Sequence, residues 1–133
     1  MESLEKIMEN DYLYAIVIRK EFSEPGPSFF TPGEFSQQLG MLIHKQGKIV
    51  KRHRHKLIKR EIFHTQEVLV LLKGKIQVDL YNDQGQSLKS LILKPGDAIL
   101  LARGGHKVEV LEDAKILEVK QGPYAGDNDK EFF

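Results

Sequence analysis

A chain of 133 residues without cysteine, with twenty basic and nineteen acidic side chains, is the size of one domain that can bury its own apolar core. Disulfide frameworks, thiolate metal sites and cysteine nucleophiles are excluded, and a formal charge of +1 gives no reason to expect nucleic acid as a partner. The opening MESLEKIMEN lacks the apolar stretch of a signal peptide, and no apolar run reaches the roughly 18 residues of a membrane span, so a cytoplasmic protein without a membrane partner is expected.

The whole chain, residues 1–133, reads as a single domain. Residues 1–11 are too short for a helix of their own and are expected to form an arm or opening turn. YLYAIVIRKEF, from Tyr12 to Phe22, is rich in β-branched and aromatic residues and predicts a strand. The proline- and glycine-rich EPGPSFFTPGEF that follows predicts a loop able to reach a neighbouring subunit. QLGMLIH predicts a strand, Gln46-Gly47 a turn, and KIVKRHRH a further extended segment. Glu67 to Leu72 is an apolar run broken by Gly74, after which Ile76, Val78 and Leu80 alternate with polar neighbours, the pattern of a strand with one wet face. LKSLILKPGDAILLA predicts two strands folded about Pro95-Gly96-Asp97, and a last pair is expected across Glu112-Asp113, from His106 to Leu111 and from Ala114 to Lys120. Pro123 stops any central strand, leaving residues 121–133 as a tail. Short strands at such intervals point to an all-β sandwich or barrel.

Alternate residues of a strand share a face, so His53 and His55 would point together, with Arg52, Arg54 and Lys56 opposite. Glu67 and His106 each open a later apolar strand and could face the same interior. The spacing resembles that of the cupin superfamily. Gly47 stands before His53-Arg54-His55, Glu67 is followed by six residues and Gly74, and Pro95-Gly96-Asp97 is followed by AILLA, Gly104-Gly105 and His106. The gap KLIKREIFHTQ between His55 and Glu67 is longer than the family's, and it holds Glu61 and His64 as substitutes for Glu67.

The resemblance covers roughly residues 38 to 120. It implies a double-stranded β-helix, that is a jelly-roll barrel, paired as a homodimer, with a divalent metal held by His53, His55, Glu67 and His106. Imidazole and carboxylate suit iron, manganese, nickel, copper or zinc alike. The implied function is a metal-dependent isomerase, epimerase or dioxygenase acting on a small polar or anionic metabolite, with His64, Glu61 and Tyr124 as candidates for proton transfer. The alternatives are a non-catalytic barrel that binds a sugar or organic acid, and a degenerate barrel without metal. His44 has no partner motif. Eight Lys or Arg and no acid between Lys45 and Arg60 read as a solvated edge that resists aggregation, or as an attractor for anionic ligands.

Overall fold

Eight strands and one short 3-10 turn, Gly126–Asp129, make up the regular structure of a computed structural model that describes residues 2–133; Met1, the first residue of the expected arm, lies outside them. The rest of that arm is a strand, β1 (Leu4–Glu9), paired antiparallel with β2 (Tyr12–Ile18). Asn10 and Asp11 join them with φ of 51° and 65°. Two successive left-handed residues make the tight turn whose twist suits a hairpin, and Asn and Asp tolerate that conformation best among residues with a side chain. The expected loop after β2 contributes β3 (Gly26–Phe29), which pairs with β4 (Gly40–Ile43) as a separate two-stranded sheet.

The remaining strands are β5 (Glu67–Tyr81), β6 (Ser87–Leu93), β7 (Ala98–Leu101) and β8 (Gly105–Lys120). The main sheet runs β1-β2-β7-β5-β6, with β8 on the other edge of β5. One edge of β5 is shared: Glu67–Val70 pairs with β7 and Ile76–Tyr81 with β6. Its opposite edge pairs with β8 from end to end.

This register forces a curl. Glu67 is the partner of Leu101 and Tyr81 is the partner of Gly105, so the short stretch from 101 to 105 connects the two ends of β5. Those residues span at most about 14 Å, whereas β5 laid out straight would run about 50 Å. The strand bends at Gly74, where φ is +89° and an added Cβ would lie 2.2 Å from the Asp113 carbonyl oxygen. The ladder shifts register between Leu71 and Ile76 on the same stretch. The result is a curled antiparallel sheet shaped as a half-barrel. The hairpin expected across Glu112-Asp113 does not form: β8 runs unbroken from Gly105 to Lys120, because the segments on both sides of Glu112-Asp113 pair with the one strand β5.

Alternation sorts side chains into two buried layers. Ala15, Val17, Leu69, Leu71, Ile76, Val78, Leu80, Ile99 and Leu101 line the inside of the curl. Ile16, Ile18, Val68 and Leu100 pack on its outside against Phe22 and Phe30, with Met41 and Ile43 of β4 beside them. Both faces of β2 and β7 are therefore covered, which is why YLYAIVI and AILL carry almost no polar residues. Strand β8 hydrogen-bonds to β5 alone, and Val110, Leu117 and Val119 are about half exposed on it. No helix is long and apolar enough to cross a membrane among the described residues.

Candidate functional site

Asp97, in the Pro-Gly-Asp turn, is 4% exposed and acts as a staple. It accepts hydrogen bonds from the Lys94 amide at 2.9 Å, the Lys20 amide at 2.9 Å and the Arg19 guanidinium at 3.1 Å. The end of β2 is thereby fixed to the β6–β7 turn. Gly96, at φ +94°, donates its amide to Leu71 O at 2.7 Å and so ties the same turn to β5. The motif is architectural, and it holds β7 in the register that aligns Leu101 with Glu67.

On the inner side of the curl, His106 Nε2 lies 2.8 Å from Glu67 Oε1. The two are partners in no ladder: Glu67 stands opposite Lys120 and His106 opposite Leu80. The curl brings them together. Both face inward by alternation, Glu67 in phase with buried Leu69 and Leu71, and His106 opposite buried Leu80. The Glu67 side chain is 13% exposed and that of His106 35%, so the pair sits at the rim of the interior rather than deep within it.

The Glu67 pKa is lowered from 4.5 to about 2, chiefly by the hydrogen bond from His106 and against the opposing effect of burial. The contact with Glu118 and the charges of His106 and Lys120 contribute smaller parts of the same shift. Glu118 is pushed the other way, first by its contact with Glu67 and then by burial. These two carboxyls therefore divide into one that stays ionised and one that holds its proton longer. Neither Glu118 nor Lys120 stood out in the sequence, although both fall in phase with Ile116 on β8 and so share a face with Glu67.

The other sequence candidates lie elsewhere. His53 and His55 stand on an exposed segment without secondary structure, rings edge to face at 5.5 Å, with His53 Nδ1 at 2.8 Å from the Lys51 carbonyl. The extended strand expected through KIVKRHRH is thus absent: no ladder partner reaches residues 44–66, and the segment's crowded like charges are fully solvated instead. The structure assembles the four expected metal ligands two by two, His53 with His55 and Glu67 with His106. Among the described residues, no three His, Cys, Asp or Glu side chains stand close enough together to share one ion. In donor chemistry the Glu67–His106 pair fits half of a divalent site, one carboxylate and one imidazole aimed at each other.

His64 and Glu61 line a cleft of about 1190 Å³ with Gln66, Leu13, Ala102 and Arg103. Leu13 and Ala102 belong to the outer layer, and Gln66 alternates with inward-facing Glu67, so this cleft opens on the opposite face of the sheet. Gln66, 5% exposed, accepts from Ser36 Oγ at 3.2 Å and from the Gln37 amide at 3.1 Å, pinning the loop before β4. Tyr124 is 89% exposed. His44 is exposed just after β4. No family model, no curated protein and no solved structure matches the chain.

Proposed function

We propose that the protein is a metal-binding cupin that acts on a small polar or anionic metabolite, with isomerase, epimerase or dioxygenase chemistry as the reaction class. The observation that carries this reading is the approach of Glu67 and His106, remote in sequence, on the inner rim of a curled sheet. In this reading the half-barrel is most of a jelly roll. Residues 44–66 supply the closing strand along the free edge of β8, which brings His53 and His55 to the Glu67–His106 pair. That edge carries backbone groups with no ladder partner, and the segment carries unpaired backbone and exposed Ile49, Val50, Leu57 and Ile58.

A bound divalent ion would act as a Lewis acid on a substrate oxygen. The chain's own residues do the rest. Glu67 stays ionised across the physiological range and so keeps a charged donor ready. Glu118 beside it is the group best placed to hold a proton at the rim. The eight basic residues between Lys45 and Arg60 draw anionic metabolites towards the opening.

The test is calorimetric titration of chelator-stripped protein with manganese, iron(II), nickel and zinc, alongside His106→Ala, Glu67→Gln and the double variant His53→Ala/His55→Ala. Binding of about one ion per chain, weakened at least tenfold in each variant, is the expected result. An ion held equally well by His106→Ala and by the parent chain would overturn the reading.

A further inference from the structure

On the outer face of the sheet, Gln37, Gln38, Gln66 and Gln121 all line the large cleft. Three of them spend their side-chain donors within the protein. Gln38 Nε2 donates to the carbonyls of Pro32 and Phe35, each at 2.9 Å, Gln37 Nε2 to Gln121 Oε1 at 3.1 Å, and Gln121 Nε2 to the Gly122 carbonyl at 3.2 Å. Gln66 is the buried member of the four, and among the described residues its Nε2 donates to no protein group. Turning the amide over would not mend this. Its Oε1 accepts from the Gln37 backbone amide, which can only donate, so the oxygen keeps that side and the nitrogen the other. Ser36 Oγ donates to the same oxygen. Nor is the nitrogen sealed away, since Arg19 Nε is the side-chain atom among the described residues that is both fully buried and unpartnered. A nearly buried, loop-pinned side chain therefore presents its N–H groups to the cleft.

We propose that this cleft is a second ligand site, on the face opposite the Glu67–His106 pair, for a small organic molecule that sets a carbonyl-type oxygen on Gln66 Nε2. Its apolar body rests against Leu13, Phe35 and Ala102, which line the cleft and belong to the outer apolar layer. An apolar floor with one fixed polar anchor is the usual build of a small-molecule site. Charge does not choose the ligand, because Lys6, Arg60 and Arg103 are matched along the walls by Asp11, Glu34 and Glu61. The choice falls to the buried donor. Water satisfies it in the open cleft, and a ligand that displaces the water without offering an acceptor leaves those hydrogens unmet. A ketone or carboxylate oxygen meets the need, whereas an ammonium group, which only donates, does not. No ion is required, so the site stands apart from the metal reading.

Acetophenone, benzoate and benzylamine make a matched set of probes, one ring carrying in turn a neutral acceptor, an anionic acceptor and a donor. Their affinities for metal-free protein are read by nitrogen–proton correlation NMR from saturable shifts of the Leu13, Gln37 and Ala102 backbone amides. Acetophenone and benzoate are expected to bind at least about fivefold more tightly than benzylamine, the worth of one hydrogen bond. The Gln66 side-chain amide of the parent chain should move with the same affinities, a measurement that needs no variant. Gln66→Glu keeps an oxygen for Ser36 and the Gln37 amide and replaces only the donor, so the loop stays pinned. In mildly alkaline buffer, where the new carboxylate is ionised, the order should reverse and benzylamine should bind ahead of the other two. An order unchanged in Gln66→Glu overturns the proposal, as does a parent chain whose Gln66 amide stays still with acetophenone. Shifts from benzoate alone overturn it too, because they mark attraction to the basic wall rather than to the amide.

Discussion

Asp97 receives two backbone amides and one guanidinium while almost wholly buried, so its carboxylate has no substitute in water. Asp97→Ala leaves the Arg19 guanidinium, about 10% exposed, without its counter-charge and two amides without an acceptor. Breaking a buried pair from one side costs about 3 kcal/mol or more, and urea denaturation should show a loss of that size. Glu67 and Glu118 differ from Asp97 in their response to pH. The folded-state pKa of Glu67 is depressed, so its contribution to stability is complete above its ordinary value of 4.5 and is lost as pH falls towards about 2. Glu118 is raised, so it weakens the fold only where it ionises beside Glu67, above its ordinary 4.5. Metal-free Glu118→Gln should therefore be more stable than the parent at pH 7, by less than about 1 kcal/mol after solvent screening, and should show no gain at pH 4. Lower stability at pH 7 would contradict the assignment.

At the scale of elements, the strands patterned for burial and bounded by turn residues were those legible in the sequence. β2, β6 and β7 emerge where apolar runs and turn residues say they should, since their side chains are sorted by a period that a buried sheet imposes. The reading failed where pairing, not pattern, decides. β1 looks like a weak arm because its alternation, LEKIME, buries only Ile7, yet a two-residue turn brings it onto β2. Glu112-Asp113 looks like a hairpin turn, but it crosses the bend of β5, where Glu112 pairs with Lys75 and the ladder resumes at Lys115. Gly74 governs that bend. Gly74→Ala combines an unfavourable left-handed backbone with a contact on the Asp113 carbonyl, and it should destabilise the chain by about 2 kcal/mol or more. It should also loosen the Glu67–His106 contact, which depends on the curl. Hydrogen exchange would register this as faster amide exchange at both ends of β5, with β1 and β2 changed less.

For the whole molecule, the spacing of His106 after the Pro-Gly-Asp turn and of Glu67 before Gly74 pointed to two residues that the folded chain does bring together. What the spacing could not supply was the curvature that joins them, or Glu118 and Lys120, whose place depends on the register of β8 against β5. Nor could it tell that 44–66 would lie unpaired, since the pattern of KIVKRHRH is compatible with a strand and only a ladder partner makes it one. That segment has a consequence for proteolysis. It carries eight basic residues in an exposed stretch with no ladder, whereas the lysines of β5 and β6 are held in one. A protease that cuts after Lys or Arg needs several residues in extended, unpaired form, so trypsin should cleave first between Lys45 and Arg60 and leave β5–β8 intact. If residues 44–66 close the barrel around an ion, adding manganese or nickel to the stripped protein should slow cleavage at these sites by about tenfold. The same ions should leave cleavage of His53→Ala/His55→Ala unchanged, because that variant lacks the imidazoles through which the segment would be drawn onto the sheet.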